Sequence, residues 1–352
     1  MRILFVNGQA FLPQLVGGVE VSTLSMCSML SDLGHSSSIM ARVRQGDLLW
    51  FWNKVRGNVR RELFPVDDCH GVPVYRGGNP VAGMPEVMRK VRPDAVIVQS
   101  VRFDAFKVCA ESLRQNVPTF FYVHDANAIS VLKNQAPPLG LRFIANSRFT
   151  EALVRRGFRR DCEVLPPAIV PKLGEAAASA KSVVMINPRP LKGGEIAVEV
   201  ARRCGDIPFL FVEAWSGRDA DIRSIRQYAL SLANVTWLPV QKDMSAIYGA
   251  SRLLLVPSQC PETWGMIVTE AHHWGIPVVA SRLGALPDTV GPGGLLVDAD
   301  ADIDEWVEAV RQLWDNPTAH RAYAKAALEY ARRDEIDPAS IARKLVRIVQ
   351  AQ

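Results

Sequence analysis

The stretch from Pro257 to Ser281, PSQCPETWGMIVTEAHHWGIPVVAS, decides the fold of this chain. An apolar run at 253–256 predicts a buried strand, the segment 266–274 has helical spacing, and 277–280 predicts the next strand. Ligands of open α/β sheets bind at the carboxyl ends of strands. The loop 258–265 therefore stands where a ligand would bind.

Two carboxylates in this stretch are placed for binding. Glu262 lies in the loop, and the backbone amides of 264–266 open the next helix at an end that suits an anion. Glu270 shares a helical face with Ile267 and Trp274, so its carboxyl group is directed at apolar packing and needs a partner. An ordinary alternative stays open for each residue. Glu262 could simply be an acidic residue that the helix dipole favours, and Glu270 could be an exposed side chain at the edge of its stripe.

The order of residues in the stretch is that of a family motif. An acid, a Trp-Gly pair, a second glutamate and further glycines follow one another. This string resembles the donor-binding motif of family 4 glycosyltransferases, which have the GT-B fold. The resemblance implies that Glu262 binds hydroxyl groups of a donor sugar and that Glu270 binds the ribose. An ionised carboxylate suits the first role because it accepts from two vicinal hydroxyls. The other loop residues of the implied donor site are Thr263, Trp264 and Gly265.

Composition limits the class of protein. The 352 residues suffice for two domains of ordinary size, and 48% hydrophobic with 22% charged residues is typical of soluble globular proteins. No apolar run is long enough for a membrane helix and no signal-peptide pattern opens the chain, so we expect a cytoplasmic protein. The net charge of +5 favours anionic ligands or an anionic surface, and no nucleic-acid-binding motif occurs. The six cysteines include no CxxC pair, which favours reduced thiols over a zinc site.

The first part of the chain predicts a Rossmann-like start. Residues 2–7 form an apolar strand, and the helix predicted over 19–33 follows a loop with Gly17 and Gly18. The glycine spacing is not that of dinucleotide-binding proteins, and a flexible turn is the alternative. Beside the motif at 257–281, the loop resembles the glycine-rich loop of family 4. That resemblance implies close backbone approach to acceptor and phosphate.

A histidine follows the second of two further buried strands, predicted over 94–98 and 119–123. His124 therefore lies at the carboxyl end of a strand, where this architecture has its crevice. A structural histidine is the alternative. The family resemblance implies an active-site histidine at this position, and the sequence NSRF at 146–149 resembles the family as well.

The segment 48–66, LLWFWNKVRGNVRRELFPV, departs from the Rossmann pattern. On a helical wheel, its apolar stripe consists of Leu48, Trp52, Val55, Val59 and Leu63. Lys54, Arg60 and Arg61 lie away from that stripe, and a helix of this kind can lie on an anionic membrane. The alternative is a surface helix that packs its apolar face on its own domain, and Gly57 weakens any helix here.

The second half restarts the strand-helix pattern after a small, polar linker at 171–181. A strand over 183–186 leads into a loop with Arg189 and Lys192, two cations before a helix N-terminus, which is a setting for a diphosphate. Solvated surface cations are the alternative. The resemblance implies a diphosphate role for Lys192. The role of Arg189 stays open, because the family's glycine-arginine pair stands five residues before the lysine, where this chain has Asn187.

Two further segments carry open alternatives. Family 4 usually has a glycine pair where this chain has EAW at 213–215, which leaves base and acceptor contacts there open. The acidic run DADAD at 298–302 precedes a predicted helix, which it would cap and supply with negative charge in the first turn. If Asp298 and Asp300 instead formed a DxD site, the protein would be a metal-dependent transferase. Full turnover in excess chelator would exclude that alternative.

We therefore predict an α/β protein of two Rossmann-like domains that face each other across a cleft, the GT-B fold. The acceptor domain covers 1–170 together with a C-terminal helix at about 336–352, which in the family crosses back to the first domain. The nucleotide-sugar donor domain covers 171–335.

The predicted activity is transfer of a sugar from a nucleotide-diphosphate donor to an acceptor hydroxyl, in polysaccharide or glycoconjugate biosynthesis. The resemblance implies retention of configuration and no metal or other cofactor. The predicted catalytic residues are His124, Lys192 and Glu262, and the predicted donor-binding residues are Gly17, Gly18, Arg189, Lys192, Glu262, Thr263, Trp264, Gly265 and Glu270. The acceptor class stays open between a glycan, a lipid-linked and a small-molecule acceptor, as does peripheral contact with the inner face of a membrane through 48–66. The alternative from another class is a non-catalytic protein that binds sugar nucleotides.

Overall fold

The structure of the protein is a computed structural model that describes residues 1–99, 102, 104–170, 174, 181–214, 220–241 and 243–351. The chain divides into two compact units. Unit 1 is Met1–Ile169 with Glu335–Gln352, and unit 2 is Val170–Asp334. Trp215 of the EAW segment and the predicted linker, apart from Gly174 and Lys181, lie outside the described residues.

Strands and helices alternate along unit 1. Its elements are β1 (Arg2–Ala10), α1 (Gly18–Asp32), β2 (Ser36–Arg42), α2 (Leu48–Arg60), β3 (Val66–Cys69), β4 (Val72–Gly77), α3 (Pro80–Val91), β5 (Ala95–Gln99), α4 (Ala105–Leu113), β6 (Thr119–Val123), α5 (Asn127–Leu132), β7 (Arg142–Ala145), α6 (Arg148–Phe158) and β8 (Cys162–Val164). Helices cover both faces of the resulting sheet, which is why most of its strands are continuous apolar runs.

The strands of unit 1 form one sheet in the order β3-β4-β2-β1-β5-β6-β7-β8 over the described residues. Neighbouring strands run parallel, except β3 and β4, which are antiparallel. The chain moves outward from β1 through β2 and later crosses to β5 on the other side of β1. The strand order therefore reverses between β1 and β5, and ligands of open α/β sheets bind at such a switch point.

Unit 2 repeats the alternation. Its elements are β9 (Ser182–Ile186), α7 (Gly194–Arg203), β10 (Phe209–Val212), α8 (Ala220–Ala229), β11 (Val235–Leu238), α9 (Ser245–Ala250), β12 (Ser251–Val256), α10 (Met266–His273), β13 (Val278–Ser281), α11 (Leu286–Val290), β14 (Gly294–Val297), α12 (Ile303–Trp314) and α13 (Pro317–Ala331). The parallel sheet has the order β11-β10-β9-β12-β13-β14 over the described part of the unit. Its switch point lies between β9 and β12.

The last helix, α14 (Pro338–Gln350), belongs to unit 1. Ile341, Leu345 and Ile348 of α14 are buried in the same core cluster as Met26 and Leu30 of α1. The chain thus returns to its first unit after completing the second, as the family resemblance implied.

Parts of the structure differ from the sequence-based expectation. The strands β2, β3, β4 and β14 were not predicted. Asp302 occupies the N-cap position of α12, but its side chain makes no capping hydrogen bond, so the predicted cap is wrong. Asp304 and Glu305 supply the negative charge of the first turn instead. Asp298, at the start of the acidic run, pairs with Arg282 at 2.9 Å.

Candidate functional site

The switch point of unit 2 is built from the loops that follow β9 and β12. Gly193, in the first loop, has a φ of +75°, and a Cβ atom there would clash with the carbonyl oxygen of Pro257, which follows β12. Gly284 has a φ of +63°, and a Cβ atom there would clash with the carbonyl oxygen of Glu262. The two glycines therefore allow the loops to approach each other closely. Gly193 directly follows Lys192, and Gly284 contacts the backbone of Glu262, so both close approaches lie next to the two charged residues.

Lys192 and Glu262 meet at this switch point. The Nζ atom of Lys192 donates to Oε1 of Glu262 over 2.6 Å, although the two residues are 70 positions apart. The hydroxyl of Ser258 donates to the same carboxylate oxygen over 2.8 Å. Both charged side chains remain partly exposed, so a ligand can reach them. The structure thus brings together a cation and a carboxylate that the sequence assigned to one donor.

Glu270 has the partner that its place on the helix required. The hydroxyl of Tyr248 donates to Oε2 of Glu270 over 2.6 Å. Burial raises the pKa of the Glu270 carboxyl, and the hydrogen bond from Tyr248 opposes that rise. The structure therefore places Glu270 on α10, where Tyr248 orients its carboxyl group.

The other predicted loop residues lie around the same helix. Gly265 is the N-cap residue of α10 with a φ of +86°, and Thr263 lies two residues before it. The ring of Trp264 is buried, and its Nε1–H donates to Oγ1 of Thr269 over 3.0 Å. The indole is thus a packing element, and the group that residue 264 can offer a ligand is its backbone amide.

The loop after β9 holds a residue whose role the sequence did not predict. Asn187 has a φ of +62° and is buried, and its Oδ1 atom has no hydrogen-bond partner. Asparagine is one of the few residues with a side chain that adopt this conformation readily. Arg189, two residues on, begins a short 3-10 turn at Pro190–Lys192 and is half-buried. The unsatisfied Oδ1 atom of Asn187 thus adds a polar group to the loop that carries Arg189 and Lys192.

In the described part of the chain, no group of three His, Cys, Asp or Glu residues is arranged to hold a metal ion. At the EAW departure, Glu213 accepts from Nε1 of Trp237 over 2.7 Å and lies 3.6 Å from Arg226. Its carboxylate is thus engaged within unit 2.

The switch point of unit 1 has polar residues on one face of three neighbouring strands. Asn7 of β1 is the register partner of Gln99 of β5, and His124 follows β6 directly. Side chains alternate between the two faces of a strand, and the residues that precede these three on the same face are Ile3, Phe5, Ala95, Ile97, Phe120 and Tyr122, all in one core cluster. Each apolar row thus changes to a polar residue at the end of the sheet where ligands bind. That change of residue type was the sequence signal for Asn7 and Gln99, which the sequence analysis missed.

A chain of hydrogen bonds fixes the tautomer of His124. Oγ1 of Thr23 donates to the carbonyl oxygen of Val19 over 2.7 Å, so it accepts from the amide of Gln99 at 3.0 Å. The Oε1 atom of Gln99 is then turned to Nε2 of His124 at 2.6 Å, which makes Nε2 the protonated nitrogen and Nδ1 the proton-free one. Burial lowers the pKa of His124 to about 3, so the imidazole is neutral at physiological pH.

The glycine-rich loop leads into α1 beside this row. Gly17 is the N-cap residue of α1, Gly18 is its first residue, and Glu20 lies in its first turn. A Cβ atom on Gly17 would lie 2.7 Å from Oε2 of Glu20, so the missing side chain leaves room for that carboxyl group. Burial raises the pKa of Glu20 to about 7. Glu20 is thus the third residue of unit 1, after Asn7 and Gln99, that the predicted site omitted.

The helix α2 exposes the apolar side that the sequence indicated. Its exposed apolar side chains include Leu48 at 78%, Trp52 at 55% and Val59 at 79%, and Asn53 is its buried residue. The interpretation in which the apolar face packs on its own domain is therefore wrong for these residues. No helix in the described part of the chain is long and apolar enough to cross a membrane.

Two family models match the chain. Residues 16–173 match "Glycosyltransferase Family 4", and residues 195–316 match "Glycosyl transferases group 1". Together they cover most of both units, including the glycine-rich loop and the whole motif at 257–281.

The curated relatives match over part of their length. A "D-inositol 3-phosphate glycosyltransferase" of Mycolicibacterium smegmatis is 32% identical over 41% of this chain and 34% of its own. A protein of the same name from Segniliparus rotundus is 29% identical over 54% of this chain and 48% of its own. The chain thus spans between a third and a half of the length of these relatives.

Solved structures match over the full length. Sucrose-phosphate synthase from Thermosynechococcus elongatus superposes with a TM-score of 0.76 at 18% identity, covering 99% of this chain and 98% of its own. The Anabaena protein Alr3699/HepE, solved in complex with UDP and glucose, has a TM-score of 0.78 at 20% identity and full coverage of both chains. These likenesses confirm the predicted fold class, two Rossmann-like α/β domains of the GT-B kind.

Proposed function

We propose that this chain, which belongs to the glycosyltransferases described by the family 4 and group 1 models, transfers a sugar from a nucleotide-diphosphate donor to an acceptor hydroxyl. The observation that carries the proposal is the contact between Lys192 and Glu262 at the switch point of unit 2. The contact supports the proposal because ligands of such sheets bind at the switch point, and a donor needs both a cation and a carboxylate there.

The two charges suit the two ends of the bond that breaks. When the bond from the sugar to the diphosphate breaks, negative charge develops on the departing diphosphate, and a preorganised cation stabilises that charge. We assign this role to Lys192. Glu262 remains hydrogen-bonded to Ser258 while Lys192 turns to the diphosphate, and its carboxylate accepts from the sugar hydroxyls. Transfer with retention of configuration follows from the family resemblance.

The remaining donor contacts follow from residue chemistry. Glu270, oriented by Tyr248, is assigned to the ribose hydroxyls. The backbone amides at the start of α10 and the guanidinium of Arg189 are assigned to the phosphates. The neutral imidazole of His124 is assigned to a hydroxyl group of the donor sugar, which it can contact without carrying charge.

The names of similar proteins suggest where to begin with substrates. Alr3699/HepE is described in complex with UDP, with UDP-glucose, and with UDP and glucose, and the curated relatives are named for D-inositol 3-phosphate. We therefore propose a uridine-diphosphate sugar as donor and a polyol as acceptor. Reduced thiols at all six cysteines accord with a cytoplasmic reaction.

A thermal-unfolding screen of nucleotide sugars followed by a product assay tests the proposal. A donor that binds the folded state raises the unfolding midpoint, and incubation with acceptor should then release nucleoside diphosphate. Binding without transfer or hydrolysis would favour the non-catalytic alternative. Loss of turnover in excess EDTA would favour the metal-dependent alternative at Asp298 and Asp300.

We also propose that α2 lies on an anionic membrane surface. Its exposed stripe is Leu48, Trp52 and Val59, and the helix also carries the exposed basic residues Lys54, Arg56 and Arg60, whose charge complements anionic lipid headgroups. In co-sedimentation with vesicles of phosphatidylcholine and phosphatidylserine, Trp52→Ser should reduce binding severalfold. Leu139→Ser, which removes another exposed apolar side chain of unit 1, is the matched control. Equal binding by the wild type and Trp52→Ser would remove this assignment.

A further inference from the structure

A small cavity lies at the switch point of unit 1. It encloses about 80 Å³ at the carboxyl ends of β1, β5 and β6, and its lining includes Asn7, Glu20, Gln99 and His124. That volume exceeds the space that one water molecule needs. The cavity can therefore take a small polar group of a ligand.

Asn7 is the first sign that the cavity is built for a ligand. The side chain is 1% exposed, and neither its Nδ2 nor its Oδ1 atom has a hydrogen-bond partner. A buried polar group left unpaired is costly, and native structures pair nearly all of them. An amide offers one acceptor and two donor hydrogens, and a ligand hydroxyl can satisfy both kinds because it donates and accepts.

Glu20 is the second sign. Glu20 is 6% exposed, and no ion pair in the described part of the chain includes its carboxyl group. A buried carboxyl group without a cation is disfavoured in its charged form, which accords with the raised pKa of Glu20. The protonated carboxyl, like the amide of Asn7, both donates and accepts.

The lining also indicates what the cavity rejects. Among the described residues that line it there is no lysine or arginine, and His124 is neutral at physiological pH. A phosphate would enter without a countercharge, beside Glu20 and Asp125. A neutral hydroxyl group meets no such penalty.

The partners of His124 are fixed before any ligand binds. Gln99 is held between Thr23 and His124, so three of the polar groups near the cavity are already oriented by one another. Asn7 has no such partner, and Glu20 has a hydrogen bond to its own backbone amide but no ion-pair partner among the described residues. Preorganised neighbours reduce the ordering cost that a ligand would otherwise bear.

We infer that Asn7 and Glu20 form a hydroxyl-binding pocket in unit 1 that holds an uncharged polyol portion of the acceptor. The inference rests on the proposed glycosyl transfer, and it adds to that proposal the residues and the chemical class on the acceptor side. The pocket takes one or two neighbouring hydroxyl groups, and any charged group of the acceptor lies outside it.

Saturation-transfer NMR on the full chain tests the pocket with myo-inositol and glycerol as probes. The wild type should bind myo-inositol, and Asn7→Leu and Glu20→Ala should each weaken the dissociation constant about tenfold, which corresponds to about 1.4 kcal/mol. Glu20→Gln, which keeps the shape and both kinds of hydrogen-bonding group, should stay within about threefold of the wild type.

Asn53→Leu is the matched control. Asn53 is a second buried asparagine of unit 1 with an unpaired Oδ1 atom, and it lies on α2 away from this cavity. Asn53→Leu should leave probe binding unchanged. If Asn7→Leu does not fold, as judged from its amide spectrum, Glu20→Ala and Glu20→Gln carry the comparison.

Three outcomes would overturn the inference. The wild type could bind neither probe, which would leave water as the occupant. Asn53→Leu could weaken binding as much as Asn7→Leu, which would make the effect structural. Inorganic phosphate could displace myo-inositol competitively, which would make the pocket an anion site.

A transfer assay separates failure of this inference from failure of the proposed function. If the wild type uses no nucleotide sugar while the probes bind as expected, the proposed transfer is wrong and the pocket stands. If transfer occurs and Asn7→Leu and Glu20→Ala leave the acceptor KM unchanged, the proposed function stands and the pocket assignment is wrong.

Discussion

The strand order of both sheets reverses beside the first strand of the unit, β1 in one and β9 in the other, yet the polar groups at the two places differ in charge. In unit 1 they are amides, a neutral imidazole and a carboxyl group whose pKa is raised to about 7. In unit 2 they are an ammonium and a carboxylate 2.6 Å apart. One topology thus provides a site whose described lining has no lysine or arginine and a site with a lysine within the same chain.

This difference indicates a division of labour. Charged groups suit a diphosphate, because negative charge develops on it as the sugar departs. Uncharged groups suit hydroxyls, because a hydroxyl group needs a donor and an acceptor and no countercharge. The fold alone would not distinguish the two sites, so the side chains at the strand ends carry the functional information.

Removing the cation of unit 2 should have the largest effect. Lys192→Ala should lower kcat for every donor by roughly tenfold to a thousandfold, because a charge-assisted contact to the departing diphosphate is lost. Lys181→Ala, which removes an exposed lysine just before β9, is the control and should be neutral. Unchanged kcat in Lys192→Ala would move the diphosphate contact elsewhere, with Arg189 as the next candidate.

Glu20 should make unit 1 sensitive to pH in a direction opposite to that of most carboxylates. Its pKa is about 7 in the folded chain against an ordinary value of 4.5, so the folded state keeps a proton that the unfolded state has released. The contribution of Glu20 to the free energy of unfolding is fully present below pH 4.5 and is lost as the pH rises through 7. The total loss is about 3 kcal/mol.

Urea unfolding of the wild type and Glu20→Gln at several pH values measures that contribution. The variant should be more stable than the wild type at pH 8, with a difference that vanishes near pH 4.5. Subtracting the two curves removes the opposite contribution of His124, whose pKa is lowered to about 3 and which costs stability as the pH falls below 6.5. A difference that does not change with pH would mean that folding leaves the pKa of Glu20 at its ordinary value.

The two glutamates of unit 2 should separate sugar from nucleotide. Glu262→Gln should penalise the natural donor by about tenfold more than a deoxy analogue that lacks the contacted hydroxyl. Glu270→Gln should weaken free nucleoside diphosphate and intact donor alike, since both contain the ribose. Equal weakening of the two ligands by Glu262→Gln would show that Glu262 does not bind the sugar.

His124 should affect turnover more than binding. The imidazole is neutral and its Nδ1 atom is an acceptor, so His124→Ala removes one uncharged hydrogen bond. We expect kcat to fall about tenfold with donor affinity nearly unchanged. Normal turnover in the variant would leave His124 a structural role in the hydrogen-bonded chain with Gln99.

Sequence reasoning reached much of the fold because apolar runs and glycine stops mark its elements. The unit of β12, α10 and β13 follows the predicted segments within two residues. Two other strands were not predicted because polar residues obscure their pattern. β2 begins with three serines, and β3 contains two aspartates. Such strands are recognised only by the neighbours with which they pair.

The sequence indicated single residues of the candidate site and not the contacts between them. Family resemblance predicted Lys192 and Glu262 as site residues, which stays a prediction, and their contact joins residues so far apart in sequence that only the fold shows it. Asn7 and Gln99 each continue an apolar strand by one polar residue, which resembles an ordinary strand end. Trp264 shows the opposite case. It belongs to the motif and was predicted to bind the donor, but its side chain is buried and bonds to Thr269.

The affinity of the chain for uridine diphosphate, measured by isothermal titration calorimetry, tests the division of labour most directly. The account predicts that Lys192→Ala raises the dissociation constant at least fivefold, since it removes a charged contact in unit 2. It also predicts that Asn7→Leu leaves the constant within about twofold, since an uncharged pocket in unit 1 does not bind the diphosphate. Equal weakening by the two variants, or weakening by Asn7→Leu alone, would contradict it.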